Sequence, residues 1–199
     1  SIPASVGAGE SHARGQGASA VHAASAFSGN GSLPPYRDAM QGAFLGPAFS
    51  EETIGRWLAE HRYPAQQLSR EEAPRMIARR IAEGQVIGLF QGRMEFGPRA
   101  LGARSIIGDA RSPKMQSLMN LKIKFRESFR PFAPAVLREH VGEWFELDGE
   151  SPYMLLVADV AAKHRAVLTE EERRCTGFER LQTVRSQIPA VTHVDGTGR

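Results

Sequence analysis

The chain has 199 residues, enough for one domain with an appendage, and its composition of 41% hydrophobic and 24% charged residues is that of an ordinary globular protein. A net charge of +3 is too small to indicate a nucleic-acid-binding protein by itself. The single cysteine, Cys175, excludes an internal disulfide framework, and no stretch approaches the roughly 18 apolar residues of a membrane span. The chain does not start like a signal peptide, so we expect a cytoplasmic location.

The first 40 residues are rich in Gly, Ala and Ser. This composition predicts a flexible or irregular linker over residues 1–40, in which the Ala-rich segment Ala18–Phe27 can form a helix. One domain is predicted over residues 41–199.

Helix and strand signals begin after Phe49. Ser50, followed by two acids, is a predicted helix N-cap, and a second helix is predicted from Ser69 to a stop at Gly84. The apolar run 86–90 then predicts a buried strand. This order of helix, glycine and strand indicates an α/β (α+β) fold.

The rest of the chain alternates between turn signals and short apolar runs. In chain order the sequence predicts a loop over 91–102, a strand over 105–108, a helix that begins at Pro113, extended chain over 122–126 and 130–134, a strand over 135–137, a helix over 138–145, a strand over 153–160, a helix capped by Thr169, a strand over 190–194 and a turn over 195–199.

Positive charge is concentrated between residues 93 and 130. This stretch holds nine cations and three acids, a local net charge of +6, so the rest of the chain carries −3. The cations are interleaved with Gly, Pro and apolar residues, which a solvated helix face does not require. The residues alone leave two interpretations open, a solvated basic surface and a binding site for phosphate groups.

Three features favour the phosphate site. Arg99 lies in a Gly-Pro-Arg-Ala-Leu-Gly loop behind a predicted strand, where α/β proteins bind ligands and where loop N–H groups can cradle oxyanions. The alternation over 122–126 predicts an extended segment with its cations on one face. Prolines on both sides of Phe132 stiffen the chain that positions Arg130. No GxxxxGK[ST] or GxGxxG motif accompanies these residues, so a standard nucleotide-binding fold is not indicated.

Two ordered segments carry a family resemblance: QGRMEFGPRALGARSIIGDAR and MNLKIKFRESFRPFAPAVL. They resemble the carbamoyltransferases, nodulation protein U-like, that modify nodulation factors and antibiotics, and the likeness extends weakly over roughly residues 40–199. The resemblance implies a two-domain enzyme. Its amino-terminal domain, absent here, would bind iron or another divalent metal and pass a carbamoyl group to a hydroxyl on a small molecule or oligosaccharide.

Residues 41–199 resemble the carboxy-terminal, YrdC-like domain of that family. The resemblance implies an open twisted mixed sheet flanked by helices, truncated at its carboxy end. It also implies the activity of this domain, which forms carbamoyl adenylate from carbamoyl phosphate and ATP, with Mg²⁺. The family has a different linker and extends past Arg199, so an inactive truncated remnant is an alternative. An RNA- or tRNA-binding YrdC-like module is another, although the modest net charge disfavours it.

The resemblance also implies roles for individual residues. Carried over by motif, the catalytic residues and phosphate ligands are Arg99, Lys124 and Arg130, and further substrate ligands are Arg104, Ser105 and Arg199. We expect Glu95 to hold Arg93 or Arg99 in place. The six histidines lack metal-ligand spacing. His193 and Asp195 have two interpretations, an acid/base pair and a pair that stabilises a turn, and we favour the turn.

Overall fold

The structure, a computed structural model, describes residues 22–24 and 39–199. None of the helices in this part of the chain is long and apolar enough to cross a membrane. The strands are β1 His22–Ala24, β2 Ile87–Phe90, β3 Arg104–Ile107, β4 Ala158–Asp159 and β5 Thr197–Gly198. The α-helices are α1 Glu51–Glu60, α2 Glu72–Ala82, α3 Met115–Leu118, α4 Val141–Trp144, α5 Glu170–Arg174 and α6 Gly177–Gln182. Short 3-10 turns lie at Gln41–Ala43, Arg138–His140, Ala162–His164 and Pro189–Val191, and a π-helical turn at Met119–Ile123.

The predicted helix boundaries are confirmed where local hydrogen bonds define them. The side chain of Ser50 caps α1, and that of Thr169 caps α5 in a reciprocal capping box. At the start of α2, Ser69 Oγ accepts from the Glu72 N–H at 3.2 Å while Glu72 accepts from the Ser69 N–H at 3.0 Å. Gly84, with φ +82°, ends this helix as predicted. These boundaries depend on a few neighbouring residues, which is why the sequence predicts them.

Helix α1 ends in a Schellman motif. Arg62 has φ +56°, and the Tyr63 N–H donates back to the Leu58 carbonyl at 3.0 Å. The rings of Tyr63 and Trp57 stack with their centroids 5.3 Å apart, which supplies the hydrophobic contact common in this motif. The exposed aromatic side chains at this helix end therefore stabilise the turn.

Strands β1, β2 and β3 form a mixed three-stranded sheet in that order. Strand β1 is parallel to β2, with His22 opposite Gly88, and β2 is antiparallel to β3, with Gly88 opposite Ile106. The positions of β2 and β3 confirm the sequence prediction, and the mixture of helices and small sheets confirms the α/β class. The sequence predicts that β2 is buried, but among its described residues only Ile87 is, and Phe90 is 40% exposed.

The predicted helix at Ala18–Phe27 is wrong at residues 22–24, where the chain is a strand, and the rest of that prediction lies outside the described residues. Pairing with β2 supplies hydrogen bonds that helix propensity cannot foresee. The predicted linker boundary at residue 40 stays a prediction.

Strands β4 and β5 form a separate antiparallel pair. Ala158 lies opposite Gly198, and an isolated bridge joins Phe145 to Val160. The predicted strand over 153–160 is wrong except at its end: no strand in the described chain pairs with 153–157, and Leu155 is 75% exposed. An apolar run becomes a strand only where a neighbour satisfies its backbone.

Three other predicted elements differ from the structure. The strand predicted over 190–194 is a 3-10 turn at Pro189–Val191, where the proline begins a helical turn. Residues 131–137 form neither helix nor strand, so the strand predicted over 135–137 is absent. The helix predicted over 138–145 is confirmed as a 3-10 turn that continues into α4.

The extended segment predicted over residues 122–126 is wrong. The chain there leaves α3 through the π-helical turn, Lys124 has helical backbone angles and Phe125 has φ +47°. Met115 and Met119 are 3% and 4% exposed, and burial of this helical face keeps the chain helical into the segment that the sequence predicts to be extended. Because the chain is helical, Lys122, Lys124 and Arg126 do not share one strand face.

In the described residues, two small clusters of buried hydrophobic side chains both contact the ring of Phe132. The first contains Phe145, Val160, Ile188 and Val191, and the second contains Met115, Met119 and Ala190. Phe132, which lies between two prolines, packs against both clusters. The rigid segment that follows Arg130 is thus anchored in the core.

The close packing of Gly198 on Phe145 leads to a stability prediction. An alanine Cβ at position 198 would lie 2.6 Å from Cε1 of the buried Phe145 ring. We expect Gly198→Ala to lower the free energy of unfolding by about 1–3 kcal/mol, measured by urea denaturation. Gly55→Ala is the matched control, because an added Cβ in the interior of α1 meets nothing within 4 Å. The control should raise the free energy of unfolding by about 0.5–1 kcal/mol. An unchanged urea denaturation midpoint for Gly198→Ala would contradict the close packing of Gly198 on Phe145.

Candidate functional site

The Arg99 loop, residues 97–102, curls around the carboxylate of Glu95. A single oxygen, Glu95 Oε1, accepts hydrogen bonds from the N–H groups of Leu101 at 2.9 Å, Ala103 at 2.6 Å and Arg104 at 3.1 Å. N–H groups expected to cradle an oxyanion of a ligand thus cradle a carboxylate of the protein itself. Burial raises the pKa of Glu95, but the backbone donors outweigh it and hold this pKa below its ordinary value.

The expected partners of Glu95 are different in the structure. Arg93 donates from Nε to the Phe44 carbonyl at 3.1 Å and from Nη2 to the Leu45 carbonyl at 3.4 Å. Glu95 therefore pairs with neither side chain in the described residues, because its hydrogen bonds go to backbone N–H groups at the end of the Arg99 loop and just after it. A sequence pattern does not reveal such contacts, since every residue has the same N–H donor.

Arg104 connects the end of β2 to the start of β3. Its guanidinium donates to the carbonyls of Gln91 at 2.8 Å, Ala103 at 2.9 Å and Gly92 at 3.1 Å, and lies 3.3 Å above the centroid of the Phe90 ring. Burial lowers the pKa of Arg104, and the nearby Glu95 carboxylate opposes that shift. These four contacts of Arg104 hold the base of the Arg99 loop. The role of Arg104 as a substrate ligand stays a prediction.

Ser105 also stabilises the Arg99 loop. Its hydroxyl accepts a hydrogen bond from the Gly102 N–H at 3.1 Å. Gly97 and Gly102, at the two ends of the loop, have φ of +129° and +112°, values that favour glycine. The expected role of Ser105 toward substrate stays a prediction, while its contact with the loop backbone is observed.

Arg99 is exposed, and its side chain has no hydrogen bond or ion pair within residues 22–24 and 39–199. The same holds for Lys124. Two of the three cations predicted as phosphate ligands are therefore available to a ligand, on loops whose backbones are held by other residues.

The second loop, residues 124–130 and called the Lys124 loop here, is built on Asn120. This side chain is fully buried, at 0% exposure, and its Nδ2 donates to the carbonyls of Ser128 at 3.0 Å and Arg130 at 2.8 Å. Its Oδ1 accepts from Arg126 Nε at 2.6 Å. Sequence reasoning missed Asn120; the available signal was a polar residue directly after Met119, on a helix whose neighbouring positions are apolar.

Arg130 forms an ion pair with Glu127. Arg130 Nε lies 2.7 Å from Glu127 Oε2, and Nη2 lies 3.3 Å from Oε1. The hydrogen bond from Arg130 lowers the pKa of Glu127, and the same bond raises the pKa of Arg130. Both side chains are about half exposed, so a phosphate can compete for the guanidinium at small cost.

Arg199 follows the turn at the carboxy end of the chain. Its Nε donates to the Met154 carbonyl at 2.9 Å. In the turn, Asp195 Oδ1 accepts from the Thr197 hydroxyl at 2.8 Å and from its N–H at 3.1 Å, and His193 Nδ1 lies 3.0 Å from the same hydroxyl. These bonds match the turn-stabilising interpretation of His193 and Asp195.

The three predicted phosphate ligands are divided between two loops. Lys124 and Arg130 share one loop, whereas Arg99 lies on the other loop. Among the described residues no hydrogen bond or ion pair joins the two loops. The predicted convergence of the three cations on one ligand therefore stays a prediction.

The pKa of Glu95 predicts a pH dependence of stability. Because the folded-state pKa lies below the ordinary value of 4.5, the ionised carboxylate stabilises the fold above that value. We expect the free energy of unfolding of wild type to exceed that of Glu95→Gln by about 1–3 kcal/mol near pH 7. This difference should shrink as the pH falls from about 5 through the lowered pKa of Glu95. Urea unfolding at several pH values measures it. Glu60→Gln, an exposed residue without a side-chain partner in the described chain, should show no such trend; a pH-independent difference for Glu95→Gln would contradict the assignment.

The fold and the two loops define a mixed α/β domain, and two cations on these loops have no partner among the described residues. A family model described as carbamoyltransferase C-terminus matches residues 78–199, and the chain belongs to this family.

Several known proteins are similar in sequence to this chain. An uncharacterized protein of Synechocystis is 56% identical over 167 residues, 81% of this chain and 27% of that protein. Nodulation protein NolNO of Sinorhizobium fredii is 43% identical over 122 residues, 60% of this chain and 15% of that protein. The 3'-hydroxymethylcephem-O-carbamoyltransferase of Streptomyces clavuligerus is 37% identical over 119 residues, 60% of this chain and 18% of that protein. The chain thus spans about a quarter or less of the length of these relatives.

Proposed function

We propose that this domain binds carbamoyl phosphate and ATP and forms carbamoyl adenylate, which a longer carbamoyltransferase passes to a hydroxyl acceptor. The observation that supports the proposal best is that Arg99 and Lys124, on two loops within the family match, have no side-chain partner in the part of the chain that the structure describes. Guanidinium and ammonium groups on shaped loops suit phosphate oxygens. One relative is named as an O-carbamoyltransferase, which agrees with a hydroxyl acceptor.

The proposed reaction has two steps. Carbamoyl phosphate and water give carbamate and orthophosphate, as the bond between the carbamoyl carbon and the phosphate oxygen breaks. A carbamate oxygen then attacks the α-phosphorus of ATP, and the bond to the β-phosphate bridging oxygen breaks, which releases diphosphate. Each turnover therefore yields one orthophosphate and one diphosphate.

The cations would stabilise the charge that builds up in these steps. Negative charge grows on the phosphoryl oxygens during attack at the α-phosphorus, and fixed cations stabilise it without reorganisation. In this proposal Arg99, Lys124 and Arg130 bind phosphate oxygens, and Arg130 leaves Glu127 to do so.

The described residues include no group of three or more His, Cys, Asp or Glu side chains that could hold a metal ion. In this proposal Mg²⁺ arrives on the phosphates of ATP, as Mg²⁺ commonly binds. The ion would neutralise phosphate charge, and the residues of the chain would orient the nucleotide.

The test uses the 199-residue chain with carbamoyl phosphate, ATP and Mg²⁺. Binding of carbamoyl phosphate is measured by calorimetry, and released orthophosphate and diphosphate are quantified separately. We expect saturable binding and the two products in equal amounts, with diphosphate release dependent on carbamoyl phosphate. A folded sample that neither binds carbamoyl phosphate nor releases diphosphate would contradict the proposal.

A further inference from the structure

The residues before and after Glu95, Met94 and Phe96, form backbone hydrogen bonds with another segment of the chain. The Met94 N–H donates to the Pro47 carbonyl at 3.0 Å, and the Met94 carbonyl accepts from the Gly46 N–H at 2.9 Å. The Phe96 N–H donates to the Ala43 carbonyl at 2.7 Å. The backbone on either side of Glu95 is therefore tied to residues 43–47.

The Glu95 carboxylate holds the end of the Arg99 loop, together with the hydrogen bonds that join Gly102 to the side chains of Ser105 and Gln91. Three N–H groups, from Leu101 to Arg104, converge on Glu95 Oε1, and the loop ends at two glycines with positive φ. The side chain of Arg99 has no partner in the described chain, so contacts of its own do not determine its position. The position of its Cα, set by the loop backbone, decides where the guanidinium can reach.

We infer that Glu95 is a positioning residue, whose carboxylate holds the Arg99 loop in the shape that presents Arg99 to a phosphate group. The inference rests on the proposed function for the identity of the ligand. Glu95 itself is unsuited to contact that ligand, because a carboxylate repels phosphate and its Oε1 is already surrounded by donors. Its effect on binding passes through Arg99.

A double-mutant cycle tests this indirect role. Carbamoyl phosphate affinity is measured by calorimetry for wild type, Glu95→Ala, Arg99→Ala and the double variant. We expect Glu95→Ala to weaken binding about tenfold when Arg99 is present and to have almost no effect when Arg99 is already alanine. A general loss of structure would instead weaken binding by the same factor in both backgrounds. Glu95→Gln, which keeps an acceptor oxygen, should recover part of the affinity.

Limited proteolysis tests the loop shape without any ligand. Trypsin should cleave the Arg99–Ala100 bond several-fold faster in Glu95→Gln and Glu95→Ala than in wild type, because the loop loses its hydrogen-bond acceptor. Cleavage after the exposed Arg174, at the end of α5, is the internal reference and should keep its rate. This readout also works if Glu95→Ala is too unstable for calorimetry.

The outcomes separate the two proposals. If wild type binds carbamoyl phosphate, Arg99→Ala loses binding and Glu95→Ala keeps it, the positioning role is wrong and the proposed function stands. Equal effects of Glu95→Ala in both backgrounds, or unchanged trypsin cleavage after Arg99, would also overturn the positioning role. If wild type fails to bind carbamoyl phosphate, the proposed function fails, and the inference about ligand positioning fails with it.

Discussion

Arg99→Ala is expected to reduce carbamoyl-phosphate-dependent diphosphate release about 100-fold or more. The reason is that a fixed guanidinium which stabilises charge on transferring phosphoryl oxygens contributes about 10²–10³ in rate when it acts in the transition state. Arg99 is unpaired in the described chain, so its removal leaves no buried partner unsatisfied and should not disturb the fold. The measurement is the steady-state rate of diphosphate release at saturating ATP, with unfolding curves to show that the variant is folded.

Two further variants sharpen this prediction. Arg75→Ala removes the same charge from an exposed position on α2, and should keep the wild-type rate. Arg99→Lys keeps the charge but loses the planar fork that matches phosphate oxygens, so its rate should lie between wild type and Arg99→Ala. If Arg99→Ala lost no more activity than Arg75→Ala, Arg99 would have no special role, and the loop would be a basic surface only.

Asn120→Ala is expected to lower the free energy of unfolding by about 2–4 kcal/mol. The change removes three hydrogen bonds at once, and it leaves the Ser128 carbonyl and the Arg126 Nε without this partner, while the Arg130 carbonyl keeps the hydrogen bond from Gln116. Because these bonds hold the Lys124 loop, we also expect weaker ATP binding. Urea denaturation and calorimetry measure the two effects.

Gln116→Ala is the matched control for Asn120→Ala. Its Nε2 donates to the same Arg130 carbonyl, but at 3.2 Å and from a half-buried position. The expected loss of free energy of unfolding is below about 1 kcal/mol, because water can replace a donor that is only partly buried. Equal losses for the two variants would show that Asn120 is not the residue that holds this loop.

The elements that the sequence predicts correctly are those whose conformation depends on nearby residues. The caps at Ser50 and Thr169, the stop at Gly84 and strands β2 and β3 follow from patterns a few residues long. The wrong predictions share one cause. The runs at 122–126, 153–160 and 190–194 have strand-like composition, but their conformation depends on which distant segment lies beside them.

The candidate site shows the same division. The concentration of cations between residues 93 and 130 and the family resemblance identify Arg99, Lys124 and Arg130 without coordinates. Glu95 and Asn120 could not be assigned in this way, because their partners are backbone groups, which carry no sequence signature. The interactions that hold the loops are therefore visible only in three dimensions.

Residue types at fixed short spacing are therefore enough to identify the family, the α/β class, the helix caps and the set of basic residues. Which of these cations remain available to a ligand depends on the folded chain. Arg104 and Arg126 donate to neighbouring groups, Arg130 is paired at the surface, and Arg99 and Lys124 have no partner in the described chain. The physical reason is that a guanidinium or ammonium group binds the acceptors that folding brings within about 3 Å, and folding brings them from segments distant in the chain.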